Sequence, residues 1–272
     1  MKGGDAALEP LAPGTTIRIE HGGLSVEIAP EAGGRLARIM RDGVEWLIGY
    51  SAANAAMIAW GSYPMLPWAG RIRGGRFYFD GILRQLRCNF GAHAIHGLAF
   101  GLPWRVDAQT ASHVELSLQL PEDEHWPFGG LARQRIAVVH DTLRMDLSVT
   151  AGARAMPAVI GWHPWLHKPE HIGFTPDKVY PRDAEGIGTL PLADPPPRPW
   201  DDCFLNRKPV FVRRAGQTVR LRSDCTHWVV YDESTHATCI EPQTGPTDAF
   251  NLELSTLAPG TTRDAWFLWE WL

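Results

Sequence analysis

Apolar and polar residues alternate with a period of two along most of the chain. The alternation is clearest in TIRIE (residues 16–20), LSVEI (24–28), VELSLQL (114–120), LRMDLSV (143–149) and TVRLR (218–222). Successive side chains of a strand point to opposite faces, so each segment reads as a strand with one buried and one wet face. Between RFYF and ILRQL stands Asp80-Gly81, a pair that supplies the positive φ angles of a tight turn and predicts a hairpin over residues 76–86. No long stretch sustains a helical period, and 27 glycines with 22 prolines interrupt the chain at the short intervals that turns between strands require. The pattern predicts an all-β sandwich or related large antiparallel assembly. Residues 181–200, PRDAEGIGTLPLADPPPRPW, hold too many prolines and glycines for a strand and predict a long surface loop. Strand-like alternation resumes unchanged after it, so the loop reads as an excursion within a single domain over residues 1–272.

A chain of 272 residues is long enough for one large core. Its 26 basic residues are scattered among 30 acidic ones for a net charge of -4, with none of the basic stripe that nucleic acid requires. Cys88, Cys203, Cys225 and Cys239 form no CxxC pair, which predicts ordinary reduced thiols. Neither a signal peptide nor a membrane span is legible, so the expectation is a soluble, cytoplasmic protein with no membrane partner. The sequence has no GxSxG, no P-loop and no GxGxxG after a strand, which removes the signatures of serine hydrolysis, phosphoryl transfer and dinucleotide redox chemistry.

Several short segments carry candidate chemistry. In CIEPQTGPTDAFN (239–251), Glu241 precedes a proline and is biased toward extended backbone; it is expected at a strand end inside a stiff turn, as a site carboxylate or a solvated one. In VIGWHPWLH (159–167), His163 lies between Trp162 and Trp165, the setting of a tuned proton donor or of a structural histidine, while His167 is expected to be exposed. GAHAIHGLAFGLPW (91–104) offers His93 and His96; its glycines and the lack of HExxH argue against zinc, and His96 reads as a loop imidazole donating into a pocket. In YPMLPWAGRIRGGRFYFDG (63–81), an extended backbone would turn Arg71 and Arg73 to one face, able to grip an anion or a polyol, with Trp68 as an apolar wall and Arg76 nearby. WDDCF (200–204) sets Asp201 and Asp202 where they either form a turn or accept hydrogen bonds from sugar hydroxyls.

Taken in order, IAPEAGGRLARIMRDGVEWL, PMLPWAGRIRGGRFYFDG, AIHGLAFGLPWRV, GWHPWL, DDCF and EPQTGPTDAFN resemble the aldose 1-epimerase (mutarotase) family, from about residue 24 to residue 251. The resemblance implies a galactose-mutarotase-like β-supersandwich and cofactor-free interconversion of the α and β anomers of a free aldose such as galactose or glucose. It further implies Glu241 as general base, His163 as general acid, His96 and Arg71 as sugar-holding residues, and Asp201, or its neighbour Asp202, as acceptor for sugar hydroxyls. No metal is implied. Two positions depart from the family pattern: Gly70 stands where many relatives have Asn, and Trp165 where Tyr or Phe is common. Two rival readings accompany this one. A hexose-6-phosphate 1-epimerase would use Arg71, Arg73 and Arg76 on the phosphate, and a non-catalytic carbohydrate-binding protein would use some of the 12 tryptophans as stacking platforms.

Overall fold

The computed structural model describes residues 5–272; residues 1–4, which begin both the expected domain and the segment read as free of a signal peptide, lie outside the described residues. The period-two segments fall where expected, as Ile17–His21, Leu24–Ala29, His113–Gln119, Thr142–Thr150 and Gln217–Ser223. Most strands gather into two large antiparallel sheets. A ten-stranded sheet runs Ile17–His21, Leu24–Ala29, Arg35–Arg41, Ser62–Met65, Gly161–His167, Ala237–Gln243, His227–Tyr231, Asp201–Leu205 and Lys178–Tyr180, with Val44–Glu45 paired to Arg35–Arg41. An eight-stranded sheet runs Arg105–Gln109, His113–Gln119, Leu131–Val139, Thr142–Thr150, Thr262–Trp271, Gln217–Ser223, Val210–Arg214 and His171–Gly173. One continuous apolar cluster draws side chains from both sheets, from Val26 and Leu166 on the first to Leu147 and Trp269 on the second. This is the all-β assembly of large antiparallel sheets that the alternation predicts, and its α-helical content among the described residues is the single turn Ala249–Leu252.

Arg76–Phe79 pairs with Ile82–Gln85 through Asp80 (φ 51°) and Gly81 (φ 74°), the doubly left-handed turn that the dipeptide predicts. The segment 181–200 is irregular, as expected, but it is not merely a surface excursion. Short bridges join Arg182 to Gly188 and Val179 to Ala193, Ile187 is fully buried, and Arg182, Gly186 and Gly188 wall a cavity. All four cysteines are free, and three of them are buried. Among the described residues, no helix is long and apolar enough to cross a membrane.

Candidate active site

The site grows out of strand register. Gly161 stands opposite Gln243 and Trp165 opposite Cys239, which places His163 directly opposite Glu241 on the neighbouring antiparallel strand. On their other sides His163 pairs with Tyr63, Glu241 with Val229, Val229 with Cys203, and Cys203 with Tyr180. A second row, two residues along, contains Trp165, Cys239, Tyr231 and Asp201. Because alternate side chains share a face, these two rows form one patch on the ten-stranded sheet.

Glu241 therefore lies inside a strand, Ala237–Gln243, and not at a strand end as its proline suggests. The amide of Thr244 bonds to the carbonyl of Ile160 (2.8 Å), so the cross-bonding positions on the facing strand are Ile160, Trp162, Pro164 and Leu166. Pro164 and Pro242 fall at such positions and have no N–H to give, and the ladder between these strands is open from Trp162 to Pro164. His163 and Glu241 occupy the alternating non-bonded positions, where facing Cα atoms come closest, about 4.5 Å, and side chains meet most directly.

Nε2 of His163 lies 3.2 Å from Oε1 of Glu241, with the two residues 6% and 3% exposed. The imidazole is stacked between Tyr63 (ring centroids 4.8 Å apart) and Trp165 (5.4 Å). Trp162, which the sequence offers as a wall, instead points to the opposite face and packs on Phe267 in the core. His167 is half-buried where exposure was expected, because it sits within the same strand.

Arg71 and His96 reach the site from a two-stranded element, Arg71–Ile72 paired with Ala94–Ile95. The His96 amide donates to the Gly70 carbonyl (2.9 Å), and both residues are left-handed, at φ 58° and 66°. The left-handed backbone accounts for Gly at position 70, where a Cβ would also stand 2.6 Å from Thr247 Cγ2. Gly97 follows at φ 80°, with Leu66 O only 2.0 Å from where a Cβ would stand. Arg71 donates to the Gly186 carbonyl (3.1 Å) and, among the described residues, has no carboxylate within 4.0 Å.

The other two arginines do not join it. The strand stops at Ile72 and turns through Gly74 (φ 58°), so the alternation that would align Arg73 with Arg71 is lost. Arg73 pairs instead with Asp183 and Glu185, with Asp248 at 4.0 Å, and Arg76 bonds Gln85. Trp68 is buried against Trp126 and Phe250 and forms no wall of this cavity. His93 serves locally, its Nδ1 accepting from the Gly74 amide at 3.1 Å.

Glu241, His163, His96, Arg71 and Asp201 all line one cavity of about 360 Å³, in the size range of small-molecule pockets. Asp202 borders it as well, but Asp201 is the residue that shares a face with Cys203 and couples electrostatically to both Glu241 and Arg71. Arg182 pairs with Asp201, and lies 3.2 Å from Glu233 and 3.8 Å from Asp202. Arg182, the aromatic walls Tyr180 and Tyr231, and Tyr63 stacked on His163 were not legible as site residues. Arg182 sits in an irregular loop without a period; the tyrosines are placed only by which strands become neighbours.

Burial governs protonation here. It pushes the Glu241 carboxyl well above the ordinary carboxylate range, reinforced by Asp201 and opposed by Arg71. Burial likewise pushes His163 down to about 3, opposed by a hydrogen bond to its own backbone and reinforced by the buried cation Arg35. His96 is driven well below the usual histidine value by burial, then by His163 and Arg71. Burial thus favours the uncharged form of each member of the central pair. Cys239 brings a third donor atom, all three lying within 4.8 Å of one another, and burial, then Glu241 and Asp201, raise its thiol well above the ordinary cysteine value.

The model of the aldose 1-epimerase family matches residues 15–269. An uncharacterized protein of Escherichia coli K12, YphB, is 31% identical over 159 residues, covering 56% of this chain and 52% of that protein; the matched part spans about half the length of the curated relatives. Among solved structures, a galactose mutarotase-like protein from Clostridium acetobutylicum superposes with a TM-score of 0.82 at 16% identity, covering 94% of each chain. Galactose 1-epimerase from Lactobacillus acidophilus NCFM gives 0.76 at 15% identity, over 97% of this chain and 99% of that one. At such identities the structural likeness is one of fold.

Proposed function

Because the chain belongs to the aldose 1-epimerase family, we propose that it interconverts the α and β anomers of a free aldose by acid–base ring opening and closure. The observation that carries this reading is the His163–Glu241 pair, 3.2 Å apart on the floor of a sugar-sized cavity. Opening a hemiacetal removes a proton from the anomeric hydroxyl and adds one to the ring oxygen. Glu241 takes the first proton and His163 gives the second. The open-chain aldehyde then rotates about C1–C2, and the reverse transfers close the ring on the other face.

One proton serves the whole cycle. With a cyclic sugar bound, the reactive arrangement is Glu241 carboxylate with His163 imidazolium; with the open chain bound, it is the neutral acid with neutral imidazole. These are two tautomers of one pair, so the cycle never changes the pair's net charge. The ligand-free site favours the neutral tautomer for the reason given above. Sugar hydroxyls and the Arg71 guanidinium then supply the polar contacts that make the ionic tautomer accessible. Asp201, held by Arg182, accepts from ring hydroxyls, and His96 borders the same cavity.

A free aldose is favoured over a hexose 6-phosphate because Arg73 and Arg76 are already engaged, leaving no arginine cluster for a phosphate. A non-catalytic sugar binder has no use for a directly opposed acid and base. NMR exchange spectroscopy on equilibrated galactose, glucose, xylose and arabinose tests the proposal. Enzyme-dependent exchange between anomer signals is expected for at least one, and none for any of them would refute it.

A further inference from the structure

The imidazole of His163 meets Glu241 through Nε2. Among the described residues, its second nitrogen, Nδ1, meets no hydrogen-bond partner from any other residue. Catalytic imidazoles are commonly fixed by an Nδ1–H bond to a carbonyl or carboxylate; here, beside the Nε2 contact to Glu241, the neighbours that hold the ring plane are its two stacking partners. Those partners share one anchor. Tyr63 Oη (3.1 Å) and Trp165 Nε1 (2.7 Å) both donate to the carbonyl oxygen of Ile58.

Ile58 is in turn bracketed by a buried arginine that lies outside the cavity. Arg35 is 0% exposed and has no carboxylate within 4.0 Å among the described residues. Its guanidinium donates to the carbonyls of Met57 (2.8 Å) and Trp60 (3.0 Å) on either side of Ile58, and to Ala32 (2.7 Å) and Phe100 (2.8 Å). It also lies 4.3 Å over the Trp60 ring and 5.0 Å over that of Tyr63. Four carbonyls in fork geometry are an arrangement lysine cannot reproduce. Burying an unpaired cation is costly, and the acceptors and rings here offset that cost.

We propose that Arg35 is a positioning residue for His163: it fixes the 57–60 segment so that the Ile58 carbonyl holds Tyr63 and Trp165 as a rigid slot for the imidazole. The proposal rests on the reading of His163 as a proton-transfer group. It also gives the Arg35 of the GGRLARI segment a role that the sugar-binding reading leaves unexplained, and gives the indole N–H of Trp165 one as well.

The test uses the full chain with Tyr63→Phe, which keeps the ring and deletes its link to Ile58, and separately Arg35→Lys, which keeps the charge and loses the fork. Nitrogen-15 NMR of histidine-labelled protein reads the His163 ring directly, with His163→Asn assigning its signals. Both variants are expected to broaden or split those signals, and to lower kcat about 10- to 100-fold with KM changed less than about twofold. Should Arg35→Lys not fold, Trp165→Phe removes the second link and is read by the same ring signals. Unchanged His163 signals in Tyr63→Phe overturn the proposal whatever kcat does. A wild-type protein that exchanges no anomers refutes the reaction instead, and the ring signals still decide the positioning.

Discussion

His163 and Glu241 face each other across two antiparallel strands, Nε2 to Oε1 at 3.2 Å, at a point where Pro164 and Pro242 have opened the ladder between them. The two prolines leave the sheet in register while removing donors from the cross-bonding positions. An acid–base pair on such a floor is rigid in backbone and buried in side chain, and both properties lead to measurable consequences.

Glu241→Gln keeps the shape and the ability to donate to His163 but cannot accept a proton. It is expected to lower kcat by about 10² to 10⁴ while sugar affinity stays near that of wild type. Saturation-transfer NMR of the anomers, paired with a fluorescence titration of sugar binding, separates the two quantities.

The same substitution should stabilise the fold at neutral pH. The folded-state pKa of Glu241 is raised, so its contribution is fully present below the unfolded value and is lost as pH rises through the folded one. Gln has no such loss. The melting temperature of Glu241→Gln relative to wild type should therefore climb between pH 4.5 and pH 8; a constant difference would mean that the carboxyl is not held protonated.

Turnover should be bell-shaped in pH with a low acid limb. The active form carries one proton on the pair, so activity falls in acid when a second proton binds, and His163 accepts it only well below the ordinary histidine value because burial pushes it down to about 3. The alkaline limb marks loss of the single proton, whose hold is strengthened by the upward shift of Glu241. A kcat profile with its acid limb near pH 6.5 would argue for a solvated histidine instead.

Arg71→Met should act on binding first. Removing a charged donor from sugar hydroxyls costs about 1.5–3 kcal/mol, or roughly 10- to 100-fold in KM. Steady-state polarimetry across sugar concentrations reads the effect, and an unchanged KM would remove Arg71 from the sugar contacts.

Glucose 6-phosphate should be turned over far less well than glucose. Asp201, Asp202 and Glu233 crowd the only other cavity arginine, Arg182, and setting a phosphate dianion among carboxylates costs several kcal/mol. Parallel exchange measurements on the two sugars decide the point.

Much of this was legible before any coordinates. The alternation of apolar residues fixed the strands and the all-β class, Asp80-Gly81 announced its hairpin, and ordered short segments pointed to Glu241, His163, His96, Arg71 and Asp201, which do line one cavity. What the chain's order did not disclose was local geometry that interrupts alternation, such as the turn at Gly74 that sends Arg73 to Asp183 and Glu185. It also hid the continuation of a strand through Pro242, because a proline ordinarily argues against a central strand.

The division has a physical cause. A two-residue period depends on backbone geometry over a few bonds, so the sequence alone determines which side chains share a face. Which face meets which is another matter: His163 and Glu241 are brought together by the pairing of distant strands, and Arg35 is brought against the 57–60 segment whose Ile58 carbonyl accepts from Tyr63 and Trp165. Burial by that assembly then decides where the proton rests, a quantity that belongs to the surroundings of a carboxyl and an imidazole and not to their identities.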